Sequence, residues 1–60
     1  MFKLEITTRG AAFDQGAPEL ILAVLLQEVA AAVRGRGVGG SAQVIDPNGN
    51  AVGRWEWRDD

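Results

Sequence analysis

Phe2, Leu4 and Ile6 alternate with Lys3, Glu5, Thr7 and Arg9, the two-residue period of a strand with one face in the core and the other in water. Gly10 to Ala17 breaks that rhythm and reads as a loop carrying one large apolar residue, Phe13, placed to plug the end of the core. Pro18 then opens a helix, because its fixed φ and missing N–H suit the first helical position, and Glu19 complements the positive end of the dipole. The helical pattern runs to Arg34, with Gly35 as the expected C-terminal cap. A flexible connection follows, Arg36-Gly37-Val38-Gly39-Gly40, and extended character resumes from Ser41 to Asp46. Asp46-Pro47-Asn48-Gly49 carries the residues of a type I turn with a left-handed glycine. A last strand, Ala51 to Arg58, sets Trp55 and Trp57 on one face and Arg54, Glu56 and Arg58 on the other.

With Asp46 opposite Asn50 in the turn, counting back along the hairpin places Ile45 on the same face as Trp55. A helical crossover returns the second strand parallel to the first, and the third fits between them, antiparallel to both. The expected fold is therefore α+β, a β-α-β-β chain with one helix on a three-stranded antiparallel sheet of order 1-3-2. Residues 1–60 form one domain. Lys3, Glu5 and Arg9 then lie near Arg54, Glu56 and Arg58 on the outer face, where cross-strand charge pairs can form.

The helix is more apolar than such a sheet needs. At about 100° per residue, Leu22, Leu25, Leu26, Val29 and Val33 make the stripe expected to cover the sheet. Leu20, Val24 and Ala31 make a second apolar strip, and the clearly polar positions between Pro18 and Arg34 are Glu19, Gln27 and Glu28. A helix apolar nearly all round is usually buried on more than one side. Leu20, Val24, Gln27, Glu28 and Ala31 are thus the expected interface with a second copy or another protein, although scattered surface apolar residues are also ordinary.

Composition strengthens the need for a partner. Sixty residues bury only about 60% of the surface that the unfolded chain exposes, so stability is marginal. Domains of this size usually add a disulfide, a metal or a partner subunit. The chain has no Cys and no His, which removes disulfides, thiolate sites and the commonest neutral metal ligand. Oligomerisation is the route left. Eight acidic and six basic residues give a formal charge of -2, against the strongly basic signature of general nucleic-acid binders. Met1 leads straight into Phe2-Lys3-Leu4-Glu5 without the apolar run of a signal peptide, and Gln27 and Glu28 interrupt the apolar helix, so a cytoplasmic location is the expectation.

Several patterns invite a chemical reading. Gly35-Arg36-Gly37-Val38-Gly39-Gly40 matches G-x-G-x-x-G, but it follows a helix and precedes a strand, the reverse of a dinucleotide site. Arg34 and Arg36 around it are candidate phosphate contacts, weighed against simple complementation of the helix C-terminus. Asp46, Asn48 and Asn50 offer oxygens at calcium-loop positions one, three and five, yet Ala51 and Trp57 stand where that loop needs Gly and a bidentate Glu. Ser41, Thr7 and Thr8 have no His to activate them, and Glu5 and Glu56 are interleaved with arginines. No catalytic residue, cofactor or metal is expected. Trp55 and Trp57 have the character of a base-stacking face, although a chain this short needs its largest apolar side chains inside.

The stretch Asp46-Pro47-Asn48-Gly49-Asn50-Ala51-Val52-Gly53-Arg54-Trp55, with Leu4-Glu5-Ile6-Thr7-Thr8 near the start, resembles small uncharacterised proteins encoded by phages and prophages. The resemblance covers the two ends better than the middle and brings no catalytic residues. It implies a protein that binds and blocks a host protein, such as a defence-system component. The expected function is a small non-enzymatic protein-binding module acting as a homodimer. The alternative is a nucleic-acid-binding regulator using Arg34, Arg36, Arg54 and Arg58.

Overall fold

The hairpin turn shows how tightly local chemistry governs this chain. Asp46 is buried, and its Oδ1 accepts hydrogen bonds from the backbone N–H of Asn48 and of Asn50, each at 2.9 Å. The Gly49 N–H donates to the Asp46 carbonyl, also at 2.9 Å, and Gly49 has a φ of 85°. This is an Asx-type turn with a left-handed glycine, as the residue types require.

The computed structural model describes residues 1–60. Strand β1 (Phe2–Ile6) is followed by a single helical turn α1 (Ala11–Asp14), helix α2 (Pro18–Arg36), and strands β2 (Ser41–Ile45) and β3 (Ala51–Trp57). The sheet has the order β1-β3-β2 with both pairings antiparallel. This is the expected α+β arrangement. No helix is long and apolar enough to cross a membrane.

Pro18 stands at the start of α2, as expected, but the helix runs two residues past Arg34. Gly35 is inside it, and the cap is Gly37, whose φ is 70° and whose N–H donates to the Val33 carbonyl at 2.8 Å. Arg34 and Arg36 favour continuation because both suit the negative end of the dipole. Gly37 ends the helix, and the chain then returns so closely over its last turn that a Cβ on Gly40 would sit 2.6 Å from the Arg36 Cβ and 3.2 Å from Trp55. The segment expected as loop before Pro18 also contains α1. Glycines of positive φ, Gly10 and Gly16, flank it, and the Gly10 carbonyl accepts from Phe13 and Asp14. The turn drives Ala12 and Phe13 into the core.

Ile45 does not join Trp55. The hairpin register begins as counted, with Ile45 opposite Ala51, but Val44 then faces Gly53. Val52 is the extra residue of a β-bulge, and a one-residue slip exchanges the faces of everything beyond it. Val44 is buried in consequence and Ile45 is exposed. Gly53 is required at this point, because a Cβ there would collide with the carbonyl oxygen of Glu5 on β1.

The core is Ala12, Phe13, Leu25, Val29, Val44 and Trp55, with Leu4, Ile6, Ile21, Leu22, Ala32, Val33, Ala42, Val52 and Trp57 packed against it. Leu26, expected in the covering stripe, is instead 44% exposed. The covered face of α2 is narrower than the wheel suggested, because its sheet contacts fall chiefly on β2, a single edge strand. Trp55 and Leu25 alone are 1% exposed. Trp55→Ala should remove about 3–5 kcal/mol, enough to unfold so small a domain, as a denaturant titration will report. Gly53→Ala should cost at least about 2 kcal/mol by forcing the two strands apart. Loss of both turn hydrogen bonds in Asp46→Ala should lower stability by about 2 kcal/mol, with part of it retained in Asp46→Asn.

Candidate functional site

Displacement of α2 towards β2 leaves two separate apolar surfaces on the helix side of the sheet. The first is the strip anticipated from the sequence. Leu20 is 64% and Val24 is 48% exposed, and Gln27, Glu28 and Ala31 are exposed with them. Their angular positions place them together on one flank of α2. The strip faces away from the sheet, and at Glu28 it reaches the β2 side, where Glu28 lines a cavity of about 130 Å³ with Val29, Ala32, Gln43, Val44, Ile45 and Trp55.

The second surface lies beside β1. Phe2, Val33 and Trp57 line an open, almost wholly apolar hollow of about 250 Å³. Phe2 faces Trp57 across the β1–β3 pairing, and its ring meets Trp57 edge-on at 6.4 Å and stacks on Trp55 at 5.9 Å. Trp57 is therefore only half-buried, unlike Trp55, although both point to the same face. Sequence reasoning placed Phe2 and both tryptophans in the core as a group. The signal it missed was the pairing of two bulky aromatic side chains at one end of the sheet opposite a valine, which a single helix over the other edge cannot cover.

The outer face of the sheet carries charge. Lys3 stands opposite Glu56 and Glu5 opposite Arg54, the neighbours expected from the alternation, around a shallow depression of about 150 Å³. The close ion pair of the molecule is elsewhere, between Arg58 Nε and Asp60 Oδ1 at 3.8 Å, and both side chains are well exposed. Such pairs contribute little. Each carboxylate on the face has a cation across the strand, a balanced and solvated arrangement rather than an acid/base pair.

The candidate phosphate contacts separate. Arg34 and Arg36 are both exposed in the last turn of α2, two residues apart, and positions i and i+2 of a helix do not share a face. Arg54 and Arg58 belong to the far side of the sheet, opposite Glu5 and beside Asp60. The four arginines form no common basic surface. The oxygens of the calcium-like turn are likewise engaged locally, with Asp46 Oδ1 bonded to two backbone amides.

The two indoles differ in a way that fluorescence can read. Trp57→Phe should leave blue-shifted emission from enclosed Trp55 that resists acrylamide. Trp55→Phe, where it folds, should leave red-shifted and readily quenched emission.

No family model, no curated protein and no solved structure matches this chain.

Proposed function

We propose that this protein is a small non-enzymatic binding module that works by contact with other proteins, beginning with a second copy of itself. The observation that carries this reading is the outward strip of α2, where Leu20 and Val24 stand about half or more in water on a domain with only seven buried residues. Covering such a strip gives a chain of this size the apolar burial that its own three strands cannot supply. Gln27 and Glu28 beside it provide a polar rim of the kind that surrounds interface cores.

A host protein is the second partner in this proposal, as the phage resemblance implies, in the cytoplasm. The hollow of Phe2, Val33 and Trp57 supports it, because aromatic side chains around an open apolar depression are what binding hot spots are made of. The nucleic-acid alternative has no comparable support once the arginines are dispersed.

Sedimentation across a concentration series tests the first part. The wild-type chain should pass from monomer to dimer, and a Leu20→Asp, Val24→Asp double variant should weaken association by at least about tenfold while keeping its fold, because both sites are solvent-exposed. A chain that stays monomeric at millimolar concentration would overturn the homodimer.

A further inference from the structure

Strand β2 is an open edge, and its backbone shows which groups are free. Trp57 N–H donates to the Gly40 carbonyl at 2.9 Å and the Trp57 carbonyl accepts from the Gly39 N–H at 2.6 Å, so both backbone groups of Trp57 are directed at the β2 side. Direction alternates along an antiparallel ladder, so Trp55 and Gly53 face β2 in the same way, their partners Ala42 and Val44 direct N–H and C=O at β3, and Ser41, Gln43 and Ile45 direct theirs away from it. The two edges of the sheet are not alike. β1 carries Lys3 and Glu5, the charges that commonly protect an edge from pairing, whereas Ser41-Ala42-Gln43-Val44-Ile45 carries none.

Deepening the self-association proposed above, and resting on it, we infer that two copies join β2 to β2′ antiparallel about a two-fold axis at Gln43, forming one six-stranded sheet. The spacing of the free groups is self-complementary. With Gln43 opposite Gln43 of the second copy, Ser41 lies opposite Ile45 at both ends, so every outward-directed group of the edge meets an outward-directed group. This is the isologous contact that a closed dimer needs.

The outward helix strip reaches the same side at Glu28. α2 packs chiefly on β2, so pairing at this edge makes the two helices neighbours on one face of the joint sheet. Glu28 and Gln43 line one cavity, which sets Glu28 level with the axis. In antiparallel helices Val24 then comes opposite the region of Ala31 in the second copy. Five edge residues are too narrow for the roughly 800 Å² per partner of a stable interface, and the flanking strip with Leu20, Val24 and Ala31 enlarges the contact. One two-fold axis thus covers both the free edge and the surplus apolar flank.

A charge swap at the axis is the test. Gln43 is exposed, so Gln43→Lys and Gln43→Glu should both fold, as circular dichroism will verify. Each alone places like charges directly opposite and should weaken the dimer by at least about tenfold. Mixing the two variant chains should restore a dimer containing one of each, seen by native mass spectrometry, and should slow exchange of the Gln43 amide hydrogen. Undiminished association of both single variants, or weakened association that mixing does not rescue, would overturn the β2 edge. If the Leu20→Asp, Val24→Asp variant still dissociates under the first of those outcomes, self-association through the helix stands and only the edge geometry fails. A wild-type monomer at millimolar concentration would overturn both.

Discussion

Trp55 is the side chain on which the other contacts converge. It lies in the central strand, where its ring stacks on Phe2 from β1, approaches Gly40 just before β2, and shares the core with Leu25 of α2. A central strand has neighbours on both edges and a helix above. It is the one place in a three-stranded sheet where a side chain this large can be closed in on every side. Most of what is unusual in the chain makes room for it. Gly40 has no Cβ because the last turn of α2 and the indole already occupy that space, and Ala42, its partner on β2, is small.

Closing in Trp55 also explains what is left open. One helix of 19 residues, about 28 Å long, cannot cover the tryptophan and both edges of the sheet. It sits over β2, with Leu25 and Val29 inward, and abandons the end where Phe2 and Trp57 face each other. The apolar hollow beside β1 and the apolar strip on α2 are two results of the same placement. Each is a surface that a larger domain would hide under a second helix, and in this chain each is exposed to solvent.

The bulge at Val52 has an equally wide reach. Without it, Ile45 would be inside and Val44 outside, and the edge strand would present a different set of side chains. With it, the strand enters the core through Val44 and Ala42 and shows Gln43 and Ile45 to the outside. Gly53 accommodates the close approach of Glu5 on the other side of β3 at the same level. The irregularity is confined to the β2 side of β3, since the β1–β3 register runs unbroken from Phe2 opposite Trp57 to Ile6 opposite Gly53.

Alternation in Phe2–Ile6, Pro18 at a helix start and the Asp46–Asn50 turn are local signals, and each is satisfied by atoms within a few residues. That is why the elements, their order and the α+β sheet were legible from the sequence, as was the surplus of apolar residues on α2. The bulge, the extension of α2 to Arg36, the one-turn helix before Pro18 and the unequal fates of Trp55 and Trp57 were not. Each depends on contacts between residues distant along the chain: Gly53 against Glu5, Gly40 against Trp55, Phe13 against the core, and α2 lying over one edge of the sheet. Local patterns determine which face of an element is apolar, but only the packed structure decides how much of that face another element reaches and how much stays in water.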